Sequence, residues 1–181
     1  MSSLEGRSIL VGVTGGIACY KAAELVRSLR KAGAQVRVMM TRAACEFLTP
    51  LTFQTLSQNP VATDLFAPVS DWQIEHISLA RGADAVVIAP ATANVIGKVA
   101  HGIADDLVTT VIMATRAPVV FCPAMNVAMW ENPIVQANIQ HLSELGYRFV
   151  EPGEGDLACG EEGKGRLAEV ERIVEELGAV L

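Results

Sequence analysis

The sequence predicts an α/β fold: a doubly wound parallel sheet between two layers of helices, formed as a single domain by residues 1–181. Three observations lead to this prediction. Short apolar runs alternate with stretches of helical periodicity along the whole chain. Several of these runs are apolar at consecutive positions, as is typical of strands buried on both faces. No linker, internal repeat or low-complexity tract divides the chain, and 181 residues is within the usual size of one domain.

Five apolar runs are predicted strands: residues 8–14, 34–41, 83–92, 117–126 and 147–153. The first, SILVGVT, is rich in β-branched residues and ends at Gly15 and Gly16. The third, ADAVVIAPAT, is a continuous apolar run of the kind found in the middle of a parallel sheet. Right-handed crossovers between such strands give a three-layer domain of the flavodoxin-like or Rossmann-like type.

Five stretches with helical spacing lie between or after the strands: residues 17–33, 50–58, 94–115, 132–146 and 167–177. Gly33 and Gly146 are natural helix stops. The third stretch is expected to break near Gly102, with Asp105 or Asp106 capping its second piece.

Composition excludes several classes of function. A net charge of −6 disfavours binding to a nucleic-acid backbone or to an acidic membrane surface. No run reaches the roughly 18 apolar residues that span a bilayer, and the start of the chain does not resemble a signal peptide. The four cysteines are scattered and form no CxxC pair, which disfavours a disulfide framework or a metal site. We expect a cytoplasmic protein with reduced thiols.

Ligands of such folds bind at the carboxyl ends of the strands. This rule selects four places, each of which carries small or polar residues: Thr14–Ile17, Thr41, Pro90–Asn94 and Pro123–Asn126. At the third place, small side chains would let a flat ring lie against the backbone, although close packing of helix on sheet explains them equally well.

The glycine turn in VTGGIACYK favours an anion. Gly15, Gly16 and Ile17 precede a helix whose N-terminus can receive a phosphate. The turn is not a GxGxxG fingerprint, and the second strand ends in MMTR without an acidic residue, so a single phosphate such as that of FMN fits better than NAD. Thr41 could add a hydroxyl to that phosphate. The alternative is a tight turn that binds nothing.

Three further residues are candidates for chemistry. Asn126 could hold a carboxylate or an amide, or it could simply cap a helix. His76 could transfer protons near neutral pH, or it could be a surface or structural histidine. Cys159 lies in a glycine-rich, charged loop at 151–166 that could close over a site as a lid. A thiol there could exchange a proton with a substrate, or it could be incidental.

The sequence also resembles a known family. Five motifs carry the resemblance: GVTGGIACYK, IEHISLARGAD, VIAPATANVIGKVAHGIADDL, CPAMNVAMW and ACGEEGKGRLAE. Together they resemble the phosphopantothenoylcysteine decarboxylases, which belong to the homo-oligomeric flavin-containing cysteine decarboxylases. The similarity runs through essentially the whole chain. Relatives in bacteria are often fused to a ligase, whereas this chain stops at Leu181, so we expect a stand-alone decarboxylase or an isolated domain.

The resemblance implies a set of roles. His76 would be the catalytic base and Cys159 the proton donor, and Asn126 would bind the substrate together with Met129. FMN would be bound without a covalent bond. Its lining would include Phe47, Pro90, Ala91, Thr92, Ala93 and Ala124. The resemblance also implies trimers, often assembled into dodecamers, that complete the site between subunits.

The implied reaction removes CO2 from 4'-phospho-N-pantothenoylcysteine and gives 4'-phosphopantetheine, an intermediate of coenzyme A biosynthesis. FMN would first oxidise the cysteinyl unit and later return the hydride, so the overall reaction is redox-neutral. Two alternatives remain open. Peptidyl-cysteine decarboxylases share the histidine and a similar asparagine motif but release an enethiol. Some relatives are regulatory subunits that inhibit phosphatases, and those carry long acidic tails, which this sequence lacks.

Overall fold

The central strands of the main sheet form where β-branched and apolar residues are densest. The computed structural model describes residues 4–66, 75–157, 160 and 162–181. Its main sheet consists of β1 (Ser8–Val13), β2 (Gln35–Met40), β3 (Val61–Ala62), β4 (Ala85–Ala91), β5 (Val119–Pro123) and β6 (Arg148–Phe149). All six strands are parallel, in the order β3-β2-β1-β4-β5-β6. The order reverses between β1 and β4, the point at which doubly wound sheets open a crevice for ligands.

Helices cover both faces of this sheet. They are α1 (Cys19–Lys31), α2 (Arg42–Cys45), α3 (Pro50–Ser57), α4 (Glu75–Gly82), α5 (Ala93–Ala100), α6 (Leu107–Ala114), α7 (Val127–Trp130), α8 (Pro133–Glu144) and α9 (Val170–Val180). The helices α1, α3 and α9 pack together on one face, while α4, α5, α6 and α8 pack on the other. The predicted three-layer, doubly wound fold is therefore confirmed.

Alternation along the strands divides the core into two halves. In β4, Val87 and Ala89 belong to the cluster under α1 and α9, whereas Val86 and Ile88 belong to the cluster under α5 and α6. Successive side chains of a strand point to opposite faces, so a strand in the middle of the sheet has to be apolar at every position. All seven residues of β4 are buried for this reason.

The predicted break in the helical stretch 94–115 is confirmed. α5 ends at Ala100, and α6 begins after Asp106, whose Oδ1 accepts a hydrogen bond of 2.9 Å from the Thr109 amide. The Asp106 amide in turn donates to Thr109 Oγ1 at 3.3 Å, which completes a capping box. His76 is the second residue of α4.

Residues 151–166 differ most from the prediction. The sequence indicated a loop, but β7 (Gly153–Asp156) and β8 (Glu162–Arg166) pair as an antiparallel ribbon outside the main sheet. Gly155, Gly163 and Gly165 in this ribbon have φ values of +136°, +156° and +153°. Glycine is depleted in ordinary strands, so a prediction based on the pattern of side chains did not identify these two strands. The short elements β3, α2 and α7 were not predicted either.

Candidate functional site

A cavity of about 700 Å³ opens at the carboxyl ends of β1, β4 and β5. Eight residues proposed from the sequence line it: Gly15, Gly16, Ile17, Thr92, Ala93, Ala124, Asn126 and Met129. The parallel order of the strands brings these residues to one edge of the sheet although they are far apart in the chain. Three of the four predicted strand exits therefore meet at a single site.

The first wall is the glycine turn between β1 and α1. A Cβ atom on Gly15 would lie 2.5 Å from Ala43 Cβ and 2.9 Å from its carbonyl carbon, so only glycine allows α2 to approach this closely. A Cβ atom on Gly16 would meet nothing nearer than Thr92 Cγ2 at 3.7 Å, which leaves the cavity side of the turn open. The backbone N–H groups of Gly16 and Ile17 have no hydrogen-bond partner among the described residues. Free N–H groups ahead of a helix favour an anion.

The second wall of the cavity is the exit of β4, and a buried hydroxyl joins it to the first wall. Thr14 is fully buried, and its Oγ1 donates a hydrogen bond of 2.7 Å to the Pro90 carbonyl. The same oxygen accepts from the Thr92 amide at 3.1 Å. Thr92 then caps α5 by accepting from the Val95 amide at 3.4 Å. Thr14 thus fixes the exits of β1 and β4 relative to each other.

Asn126 forms the third wall, and both interpretations of it are compatible with its geometry. Its Oδ1 accepts a hydrogen bond of 2.9 Å from the Met129 amide, which caps α7. The cap uses only the oxygen of the side chain. The Nδ2 group has no acceptor among the described residues, and the side chain lines the cavity. Asn126 can therefore donate to a carboxylate or carbonyl oxygen of a bound molecule.

The ribbon of β7 and β8 rests on α7 and closes one side of the cavity. Gly165 accepts a hydrogen bond of 3.0 Å from the Met125 amide, and a Cβ atom on Gly163 would lie 2.8 Å from Val127 Cγ2. The Lys164 ammonium lies 5.6 Å from the centre of the Trp130 ring, within the range of a cation–π contact. The ribbon is thereby attached to the segment that carries Asn126.

The ribbon and α1 add charged residues that the sequence did not single out. Lys21, Asp156 and Arg166 line the cavity. Lys21 Nζ lies 3.5 Å from Glu169 Oε1, and Arg166 Nη2 lies 3.7 Å from the same oxygen. Lys21 lies in the first turn of the helix that follows the glycine turn, and this position was the sequence signal that could have placed it near the cavity.

Four predicted flavin contacts do not line the cavity. Thr41 Oγ1 accepts from the Ala44 amide at 3.2 Å and thereby caps α2. Phe47 follows α2 and is half exposed. Pro90 and Ala91 lie within β4, where Ala91 is fully buried and the Pro90 carbonyl is occupied by Thr14.

Of the two predicted proton-transfer residues, only His76 lies among the described residues. His76 is in α4, which packs on α6, and it does not line the cavity. Its Nδ1 atom is buried without a hydrogen-bond partner among the described residues. Cys159 lies outside the described residues.

Burial favours the protonated form of the three described thiols. Burial raises the pKa of Cys19, whose Sγ donates to the Thr14 carbonyl at 3.1 Å. Burial also raises the pKa of Cys122 strongly and that of Cys45 to a smaller extent. A thiol with a raised pKa forms little of the nucleophilic thiolate near neutral pH.

The cavity has the features that a flavin mononucleotide needs. Small residues and glycines expose backbone against which a planar ring can pack, and the two N–H groups before α1 that have no partner among the described residues are of the kind that bind a phosphate. Among the described residues, no group of three or more His, Cys, Asp or Glu side chains could hold a metal ion. No helix in the described part of the chain is long and apolar enough to cross a membrane.

Comparisons with known proteins agree with this geometry. A family model described as Flavoprotein matches residues 1–181. A probable phosphopantothenoylcysteine decarboxylase of Streptococcus mutans is 45% identical over 173 residues, which cover 94% of this chain and 97% of that protein. The coenzyme A biosynthesis bifunctional protein CoaBC of Bacillus subtilis is 54% identical over 172 residues, which cover 95% of this chain but only 42% of that protein.

A solved structure has the same fold. It is a PPC decarboxylase variant in complex with pantothenoylaminoethenethiol, with a TM-score of 0.84 and 31% sequence identity, covering 96% of this chain and 97% of that one. The flavin cofactor predicted from the sequence is confirmed by the family match. The chain therefore belongs to the flavoprotein family, and within it to the group of phosphopantothenoylcysteine decarboxylases and their relatives.

Proposed function

We propose that this protein is an FMN-dependent decarboxylase that converts 4'-phospho-N-pantothenoylcysteine to 4'-phosphopantetheine in coenzyme A biosynthesis, in the cytoplasm. The observation that carries the proposal is the cavity at the ends of β1, β4 and β5, with unpaired N–H groups on one wall and the Asn126 amide on another. The chain is 45% identical over nearly its full length to a probable decarboxylase of this substrate.

FMN, when bound, supplies a temporary acceptor for two electrons, without which loss of CO2 would leave an unstabilised carbanion. The N–H groups of Gly16 and Ile17 would hold its phosphate. Ala93 and Ala124 would let its ring lie close to the backbone. Asn126 would orient the cysteinyl end of the substrate by donating through Nδ2 while its Oδ1 stays in the helix cap.

We propose further that the active protein is a homo-oligomer built from trimers, in which His76 of one copy completes the cavity of another. Two observations support this. His76 does not line the cavity of its own chain and has a ring nitrogen without a described partner. Ile17 and Tyr20 line the cavity yet are 60% and 54% exposed, which is unusual for large apolar side chains unless something covers them.

The proposal includes Cys159 as the donor of the last proton and residues 151–166 as a cover over the bound substrate. The position of the ribbon supports a covering role for residues 151–166, because its described strands lie beside the cavity. Replacing Cys159 with serine should still allow CO2 release but should stop the reaction at the enethiol. Formation of normal product by that variant would remove Cys159 from the mechanism.

The direct test uses the purified protein. We expect the visible absorbance of oxidised flavin and release of CO2 from 4'-phospho-N-pantothenoylcysteine, measured beside a peptide that ends in cysteine. A faster reaction with the peptide would reassign the protein to the peptidyl-cysteine decarboxylases. A colourless, folded protein that FMN does not bind would favour a regulatory role.

A complementation experiment tests the shared site. His76→Asn and Asn126→Asp should each abolish turnover, because each removes one part of every site. If the two parts come from different copies, mixed oligomers of the two variants contain some sites with both wild-type residues. We expect partial recovery after co-expression. Mixed oligomers without any activity would place His76 and Asn126 in the same chain's site or remove His76 from the mechanism.

A further inference from the structure

We propose that Lys21 and Arg166 form an anion subsite at the mouth of the cavity and that this subsite binds the phosphate group of the substrate. The inference rests on the proposed function, because it names the residues that recognise one end of that substrate. Lys21 and Arg166 would then be the groups by which the protein selects a phosphorylated pantothenoyl substrate over a peptide that ends in cysteine.

The two cations converge from separate elements. Lys21 comes from α1 and Arg166 from the end of β8, and both line the cavity. Their side chains contact the same carboxylate oxygen of Glu169, at 3.5 Å and 3.7 Å. The Lys21 side chain is only 13% exposed, so most of it is shielded from solvent.

Their present partner holds them weakly. Both distances to Glu169 are longer than those of a good charge-assisted hydrogen bond, and the Glu169 side chain is 69% exposed. An exposed carboxylate at this distance contributes little and can turn into water at small cost. A phosphate dianion offers three acceptor oxygens and a higher charge, so it can replace Glu169 and bind both cations at once.

The position suits the phosphate of the substrate better than that of the flavin. The flavin phosphate has its own set of donors at Gly16 and Ile17. Asn126, which would hold the cysteinyl end of the substrate, follows β5, whereas Lys21 follows β1. These strands are two spacings apart in the sheet, roughly 10 Å, so the two ends of a long substrate can be held at separate places.

The test measures binding by calorimetry, with the flavin-loaded protein and two probes, 4'-phosphopantothenate and pantothenate. The wild-type protein should bind the phosphorylated probe more tightly. Lys21→Met and Arg166→Gln should each weaken that binding about tenfold or more and leave pantothenate binding unaffected. Lys21→Arg should restore most of the preference. The matched controls are Lys31→Met and Arg27→Gln, which remove exposed charges of α1 away from the cavity and should change neither constant.

Glu169→Gln has the opposite expected effect. It removes the carboxylate that competes for both cations, so the phosphorylated probe should bind severalfold more tightly. This variant keeps the test decisive if Arg166→Gln fails to fold, since a gain in affinity cannot come from unfolding. Unchanged or weaker binding of the phosphorylated probe by Glu169→Gln would overturn the proposal.

The remaining outcomes separate the subsite from the proposed function. Equal binding of both probes by the wild type, or loss of bound flavin in Lys21→Met, would overturn the subsite even if CO2 is released. If the wild type releases no CO2 but prefers the phosphorylated probe, and Lys21→Met loses that preference, the subsite stands and the proposed function fails.

Discussion

Replacing Gly165 with alanine tests whether the ribbon positions Asn126. Gly165 has a φ of +153° and accepts a hydrogen bond of 3.0 Å from the amide of Met125, the residue before Asn126. An alanine Cβ atom would fall against the Met125 carbonyl oxygen, at a distance that no real Cβ atom adopts. The neighbour is backbone, so it cannot swing aside as a long side chain could.

The expected cost follows from two terms. A non-glycine residue in this region of φ costs about 1–3 kcal/mol. Loss of the hydrogen bond from Met125 to Gly165 costs about 0.5–1.5 kcal/mol. The two terms sum to about 1.5–4.5 kcal/mol, which destabilises the contact between the ribbon and α7 and corresponds to a change of about 10- to 1,600-fold in an equilibrium constant.

Amide hydrogen exchange measures this change directly. Protection of the Met125 amide should fall by about that factor in Gly165→Ala, and turnover should fall with it because Asn126 is displaced. Gly153→Ala is the matched control, since Gly153 is in the same ribbon and has nothing within 4 Å of an added Cβ atom. Unchanged protection in Gly165→Ala, or an equal loss in Gly153→Ala, would refute the reasoning.

Three other predictions follow from single contacts. Asn126→Asp keeps an acceptor for the Met129 amide but loses the Nδ2 donor. Turnover should therefore fall, while flavin content and melting temperature stay near those of the wild type. Loss of flavin from this variant would indicate that Asn126 binds the cofactor. Asp106→Ala removes the capping box of α6 and should lower the free energy of unfolding, measured in urea, by about 0.5–2 kcal/mol. Asp106→Asn keeps a side-chain acceptor and is the milder control. If Asp106→Ala is as stable as the wild type, the cap does not stabilise the protein. Burial raises the pKa of Cys19 and Cys122, so their thiolates form only at high pH, and iodoacetamide at mildly alkaline pH should label both far more slowly in the folded protein than after unfolding in urea; mass spectrometry showing equal labelling rates in the two states would contradict this.

The fold could be predicted from the sequence because its signals are strong and local. β4 is apolar at every position, and the glycine turn after β1 marks the change from strand to helix. The break between α5 and α6 was visible because Asp106 is a strong capping residue. The ribbon was not visible, because glycines with positive φ replace the β-branched residues on which strand prediction depends.

The site could be predicted in part for a different reason. The rule that parallel strands end at one edge selected Gly16, Thr92 and Asn126 correctly as neighbours of one cavity. The same rule also selected Thr41, which caps α2 and does not line the cavity. Arg166 could not be found from spacing, because it reaches the cavity only through the packing of the ribbon on α7.

The Thr14 hydroxyl has a consequence for ligand affinity. By bonding to both Pro90 and Thr92, it sets two walls of the cavity in their final arrangement before anything binds. A molecule that enters between them loses little of its interaction energy to ordering these two strand exits. Such preorganisation should make differences in affinity among flavin analogues reflect direct contacts with the cavity, with little contribution from rearrangement of the protein.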